Sequence, residues 1–380
     1  MGKNHLKHPS ILLNASNLHV GGGVQVATSV IGELSLLPDL PKNLTIWASS
    51  EVNANLMSLG CDFSLFPEYQ VIDTYGIKAI FSPVMKKLNE FERVFTIFGP
   101  LYSWQKNTYN IVGFAQPWII YPNNEISHKS PFLKRLLVSL KFKIQMFYFK
   151  RSDQFIVELE HVAKGLQKKR IAQKNNINII YNCIGSIYFD ESKWKNLPVT
   201  IVTQKLKLGF VGRNYSHKNT SIFPSISQFL KEKYNIEAEF YVTFNADEWQ
   251  NCSDEFKAYV KNVGVLSMAQ CPAFYNSMDA IVFPSLLECF SATPLEAMIM
   301  KKPLFASDRP FNHDVCKDYA VYFDPLSAED AANKIADYFL RMQACSASKK
   351  RLDEAHQYAL SFSNAKERAK KYLQCLITGN

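Results

Sequence analysis

The stretch Phe283-Pro-Ser-Leu-Leu-Glu288-Cys-Phe-Ser-Ala-Thr293-Pro-Leu-Glu296-Ala-Met298 decides how this chain is read. The apolar run from Asp279 to Phe283 has the character of a buried strand. It leads through a polar loop into a helix whose start is marked by Thr293 as N-cap and Pro294 as first helical residue. A strand that ends at a helix N-terminus presents unpaired N–H groups and the positive end of the helix dipole, and both attract phosphate. Glu288 in the loop and Glu296 in the first helical turn flank those donors and could accept from hydroxyls on either side. A second reading stays open for Glu296, because Thr293-Pro-Leu-Glu296 also fits the capping box, in which the Glu side chain returns to the N-cap N–H and needs no ligand. Glu288 follows its strand without a local partner.

Glu288-x7-Glu296, between a Pro-Ser strand end and a Leu-Glu-Ala-Met helix, resembles the signature of the retaining glycosyltransferases of the GT-B fold, in particular the large family four. The resemblance implies that Glu288 contacts the donor sugar hydroxyls, that the amides of Phe290, Ser291, Ala292 and Thr293 hold the distal phosphate, and that Glu296 binds the nucleotide ribose. The family's usual Glu-Gly-Phe-Gly is here Glu288-Cys289-Phe290-Ser291, which removes two residues with easy access to positive φ.

Upstream, Lys207-Leu-Gly-Phe-Val211 reads as a strand and is followed by Gly212-Arg213-Asn-Tyr-Ser-His-Lys218-Asn219. An Arg and a Lys five residues apart in such a loop can close on one diphosphate, the Arg as a fork and the Lys as a point charge. The same family carries Gly-Arg and Lys-Asn here as its diphosphate clamp, which implies that role for Gly212, Arg213, Lys218 and Asn219. Val260 to Leu266 resembles the strand and loop whose backbone reads the donor base, and implicates Gly264 and Leu266.

Ile11 to Asn14, the glycine loop Ser16 to Gly23 and a helical pattern from Val24 to about Leu37 form the opening of a doubly wound α/β domain. Triple glycine without a third spaced Gly is a weak dinucleotide signal; the resemblance places Gly22 and Gly23 near the donor diphosphate and the acceptor. Strand-like runs at Leu44–Trp47, Val94–Phe98, Ile111–Phe114, Phe155–Val157 and 177–181 alternate with helical or loop segments, which predicts a mostly parallel sheet covered on both faces. Where many family members have a His after a middle strand, this chain has Gln116, which becomes the acceptor-side candidate. His128 is expected on the surface.

With 380 residues and 47% hydrophobic content, two domains are expected. The resemblance implies two Rossmann-like domains facing a cleft: 1–190, a linker 191–205, a donor domain 206–355, and a C-terminal segment 356–380 whose helix returns to the first domain. No run of about 18 apolar residues is present and Met1 to Pro9 lacks a signal-peptide core, so a cytoplasmic protein is expected, peripheral on the inner face of the plasma membrane. The eight cysteines form no Cys-x-x-Cys pair or metal-ligand spacing. The chain has no Asp-x-Asp either, so no metal is expected, and no cofactor beyond a UDP- or GDP-linked sugar as substrate.

The net charge of +9 is uneven. Lys129 to Lys174 holds twelve Lys/Arg against three acids, a surplus of nine, so the rest of the chain is neutral. Within it, the aromatic-rich stretch Ser130 to Arg151 reads either as an interfacial helix on anionic lipid or as a core helix with basic ends, because its cations fall at scattered helical angles. No nucleic-acid module accompanies the charge. Together the readings predict a retaining, metal-independent sugar transfer to a glycan acceptor on a lipid diphosphate carrier, in O-antigen or capsule synthesis. The alternatives are an epimerase on the same fold and a non-catalytic sugar-nucleotide-binding subunit.

Overall fold

The computed structural model describes residues 10–104, 107–128, 131–342 and 346–379. Met1 to Pro9, Lys129 and Ser130 of the basic segment, and Cys345 lie outside the described residues. The chain divides into two compact units. One is built from the chain up to Pro122, the stretch ending at Asn182 and the segment from Asn364; the other takes the short stretch beginning at Asn123 together with Cys183–Ser363.

The first unit holds seven parallel strands: β1 (Ile11–Ala15), β2 (Leu44–Ala48), β3 (Glu68–Val71), β4 (Arg93–Thr96), β5 (Tyr109–Gly113), β6 (Gln154–Val157) and β7 (Ile177–Ile179), in the order β3-β2-β1-β4-β5-β6-β7. Strands buried on both faces read as continuous apolar runs, which is why β1, β2 and β4 to β6 stand out in the sequence. Edge strand β3, Glu-Tyr-Gln-Val, is largely exposed and carries no such signal. In β1, Ile11, Leu13 and Ala15 enter one core layer and Leu12 the other. The first layer is closed by the helix Gly22–Ser35 and by the C-terminal helix Ala365–Thr378, whose Tyr372 ring lies 5.0 Å from that of Phe95.

The second unit holds six parallel strands: β8 (Leu206–Phe210), β9 (Ala238–Val242), β10 (Val260–Asn262), β11 (Ala280–Phe283), β12 (Leu304–Ser307) and β13 (Val321–Phe323), in the order β10-β9-β8-β11-β12-β13. Both sheets are doubly wound, as the alternation of apolar runs and helices predicts.

The division differs from the expected bounds at three places, each with a contact that explains it. The 183–205 region belongs with the second unit: Lys195 N–H donates to the Ala269 carbonyl at 2.8 Å and Trp194 Nε1 to that of Ile187 at 2.7 Å, so 191–205 is not a free linker. The 123–128 stretch joins the same unit, where Glu125 pairs with Arg309 at 2.6 Å. The helix Ser346–Leu360 also stays with it, through Lys301–Asp353 at 2.7 Å and His356 Nδ1 on the Ile299 carbonyl at 2.7 Å. Return to the first unit starts at Asn364 instead of 356.

Arg368, 2% exposed, anchors that return: it donates to the Asn182 side chain and faces buried Glu158. Burial raises the Glu158 carboxyl to about 7, against the opposing effects of Arg368 and Asn182. Because the folded pKa lies above the ordinary value, the folded state keeps a proton that the unfolded chain releases, and stability falls as pH rises towards 7. Arg368→Met leaves that carboxylate without its counter-charge. The expected cost is about 3–5 kcal/mol above neutrality, shrinking near pH 5 where Glu158 is protonated. Thermal melts at both pH values check this; an equal deficit at both would show that the two groups are not coupled.

Candidate functional site

Because the second unit's strands are parallel, the loops that follow β8, β9, β10 and β11 gather at one edge of the sheet. The loop after β8 begins at Gly212, whose φ of 151° suits glycine. Its N–H donates to Thr243 Oγ1 at 3.0 Å, fixing the loop to the end of β9. Arg213 Nε then donates to Glu248 Oε1 at 2.8 Å, and the Asn214 N–H reaches the same oxygen at 3.2 Å. The other Glu248 oxygen accepts from Asn245 N–H at 3.1 Å and closes a capping box on the helix Ala246–Gln250. Glu248 is a residue that the sequence reading missed: its capping spacing was visible, but its reach to Arg213, 35 positions away, was not.

Lys218 Nζ lies 2.6 Å from Glu288 Oε1 and 5.3 Å from the centre of the Phe283 ring. His217 Nε2 is 3.9 Å from the same carboxylate oxygen. Burial holds the His217 ring below its ordinary pKa, with Glu288 opposing and Lys218 reinforcing. The Leu286 N–H donates to the His217 carbonyl at 2.7 Å, so backbone and side chains together join the loops after β8 and β11. Asn219 adopts a left-handed conformation, φ 55°, and donates to the Pro325 carbonyl at 2.8 Å. Arg213 and Lys218, expected to close on one diphosphate, thus each engage a separate carboxylate.

The loop from Pro284 to Ala292 contains no residue at positive φ. Cys289 and Ser291 therefore fill the family's two glycine positions without backbone strain. The helix after it runs Thr293–Ile299 with Ala292 as N-cap and no side-chain cap, which corrects the expected Thr293 cap and decides against the capping-box reading of Glu296. Thr293 is not the cap: its hydroxyl donates to the Val211 carbonyl at 3.3 Å, tying the helix start to the end of β8. Glu296 does not return to the helix start either, because Tyr275 O–H donates to its Oε2 at 2.7 Å. Burial raises the Glu296 carboxyl above its ordinary pKa, and the Tyr275 hydrogen bond, with the nearby Tyr188 hydroxyl, partly offsets this. Among the described residues, no protein acceptor faces the backbone N–H groups of Phe290, Ser291, Ala292 or Thr293. These are the free donors of a helix start.

Gly264 (φ 80°) and half-buried Leu266 follow β10 on the same sheet edge, with the Gly264 N–H held by Asn262 Oδ1 at 3.1 Å. The second unit therefore gathers Gly212, Arg213, Lys218, Asn219, Gly264, Leu266, Glu288, Phe290 to Thr293 and Glu296 on the loops of that edge. Gly22, Gly23 and Gln116 belong to the first unit, after β1 and β5. In that unit His19, Glu51 and Asp73, distant in sequence, also converge: His19 Nδ1 is 2.8 Å from Glu51 and 3.7 Å from Asp73, while Nε2 contacts the Thr74 carbonyl at 2.9 Å. The pairing fixes the glycine loop to the residues that follow β2 and β3. The side-chain ligand atoms of these three lie within 4.8 Å of one another, a grouping the sequence spacing did not reveal.

Residues 198–357, less than half of the chain, match the model of the family described as Glycosyl transferases group 1. The O-antigen chain mannosyltransferase RfbU of Salmonella typhimurium is 26% identical over 190 residues, which take in 50% of this chain and 51% of that protein; the chain thus matches about half the length of this curated relative. A glycosyltransferase structure from Rickettsia africae superposes with a TM-score of 0.68 at 16% identity, covering 97% of this chain and 98% of the other. The Anabaena protein HepE in complex with UDP-glucose gives 0.68 at 11% identity, covering 97% and 99%. At these identities the likeness is one of fold, and the fold is the α/β GT-B type.

The Tyr275–Glu296 contact gives a direct test. A double-mutant cycle with Tyr275→Phe and Glu296→Gln, read by denaturant melts, is expected to show a coupling of roughly 1–3 kcal/mol. Additive effects would show that the hydrogen bond does not hold Glu296 in place.

Proposed function

Taking residues 198–357 as a glycosyl transferases group 1 domain, we propose that the protein transfers a sugar from a nucleoside-diphosphate sugar to a glycan acceptor in surface-polysaccharide assembly of the O-antigen kind. The observation that carries the reading is the Lys218–Glu288 pair at the heads of adjacent strands β8 and β11, followed directly by the four unpartnered amides of 290–293.

Each part has a chemical task. Departure of the nucleoside diphosphate builds negative charge on phosphate oxygens, and fixed donors lower the barrier when they meet that charge as it develops. Lys218, Arg213 and the amides of Phe290 to Thr293 supply them. Glu288, released from Lys218, accepts hydrogen bonds from the sugar hydroxyls and orients the ring. Glu296, steadied by Tyr275, accepts from the ribose, and the backbone at Gly264 to Leu266 contacts the base.

We further propose that the product keeps the donor's anomeric configuration. The acceptor oxygen bonds to the anomeric carbon on the face from which the phosphate oxygen departs, and the acceptor proton passes to that leaving oxygen. Arg213 and Lys218 supply the counter-charge, so turnover is expected to persist in chelator. The acceptor is proposed to be a glycan on a lipid diphosphate carrier. Mannose is the first sugar to test, since the Salmonella relative is described as a mannosyltransferase.

The test is a screen of UDP- and GDP-sugars by thermal shift and slow donor hydrolysis. One donor is expected to stabilise the wild type and be hydrolysed, with Glu288→Ala abolishing hydrolysis and Arg213→Ala lowering it about 10²–10³-fold. Absence of any binding would overturn the reading. Conversion of the donor to an epimer without acceptor would assign an isomerase instead.

A further inference from the structure

The helix Phe132–Phe149 of the first unit has two unlike faces. One is packed: Tyr148 and Phe149 are buried, Phe142 stacks on Trp118 at 6.1 Å, and Tyr148 meets Tyr102 edge-on at 5.0 Å. On the other, Phe132, Leu133, Leu136, Leu137, Leu140 and Phe147 are between 49% and 78% exposed. At roughly 100° per residue these six fall within an arc of about 140°, and only Lys143 and half-buried Ile144 share it. Scattered single apolar residues are ordinary on a surface, whereas six aligned along the helix from Phe132 to Phe147 mark an interaction site.

What covers the stripe is indicated by the charge around it. From Phe132 to Ser152 the sequence contains six Lys/Arg and no Asp or Glu. Lys143 lies within the stripe, and a long cationic side chain there can cover apolar surface while its head reaches the phosphate level. At the C-terminal end, the half-exposed Trp104 ring packs against Phe147 at 6.0 Å with the Arg151 guanidinium 5.5 Å over it, placing an amphipathic ring and a cation side by side. Lys150, Arg170 and Lys174 line one shallow depression beyond the helix end. An apolar face whose charged neighbours on its own helix are all cations complements an anionic lipid surface. Among the described residues no helix is long and apolar enough to cross a membrane, so this one lies along the surface.

We propose that the stripe from Phe132 to Phe147 seats the first unit in the headgroup boundary of an anionic bilayer. The scattered helical angles of the cations, which leave the sequence ambiguous, are compatible with this, because insertion is set by the apolar arc and the cations need only reach the headgroups around it. The inference is independent of the donor chemistry, so its failure leaves the proposed transfer untouched.

The test is flotation of the full chain with vesicles of phosphatidylcholine alone and of equal parts phosphatidylcholine and phosphatidylglycerol. The wild type is expected to float with the anionic vesicles and to be released by raised salt. The triple change Leu136→Ser, Leu137→Ser, Leu140→Ser is expected to lower the bound fraction at least about tenfold, and Lys141→Glu with Lys143→Glu several-fold. All these sites are exposed, so both variants should keep the wild-type melting temperature and donor hydrolysis. Wild type that stays in solution with both vesicles overturns the proposal, as does a triple variant that floats like wild type. A soluble dimer that the triple change converts to monomer, without vesicle binding, would assign the stripe to a second copy of the chain and overturn it equally.

Discussion

A buried carboxylate and an ammonium 2.6 Å apart, Glu288 and Lys218, fix the head of the second unit's sheet. Desolvating both charges is costly, and such a pair is tolerated only where geometry and added hydrogen bonds hold it. Here the Leu286–His217 backbone bond provides the geometry, and the paired loops follow the adjacent strands β8 and β11. The pair joins one group suited to phosphate and one suited to sugar hydroxyls. A nucleoside-diphosphate sugar can satisfy both at once, so binding exchanges one set of charge contacts for another and leaves no buried charge unpaired. Around this centre two further carboxylates have partners of their own: Glu248 steadies the Arg213 loop, and Glu296 is held by Tyr275.

Much of the second unit was legible in the sequence, because parallel strands buried on both faces leave runs such as Ala-Ile-Val-Phe and because loops at their carboxyl ends keep fixed spacings. The loop conformation was not legible. Two glycines expected for positive φ are absent, yet Cys289 and Ser291 lie at ordinary φ, so the residues that signalled doubt carry no strain. The helix start was misread for a related reason. Thr293 and Glu296 have the spacing of a capping box, but local spacing competes with tertiary partners, and the Val211 carbonyl and Tyr275 hydroxyl won both side chains.

The first unit was less legible. Its edge strand β3 has no apolar run, and its His19, Glu51 and Asp73 cluster joins two loops and the first turn of the helix Ser50–Ser58, whose approach no local pattern records. The domain bounds moved because contacts of single residues decide them: Lys195 fastens the expected linker to the second unit, while Arg368 draws the last helix to the first. The helix Phe132–Phe149 shows the same limit from the other side. Its charges alone point nowhere, and only the exposure of Leu136, Leu137 and Leu140 distinguishes an outward apolar stripe from a core face.

The most direct test of the central claim is a crystal structure of the protein with the nucleoside diphosphate that stabilises it. The account predicts a phosphate within hydrogen-bond reach of the amides of Phe290 to Thr293, with Lys218 turned from Glu288 onto the diphosphate and the nucleoside lying towards Glu296 and Gly264. A nucleotide bound elsewhere, with the Lys218–Glu288 pair intact and those amides facing only water, would contradict it.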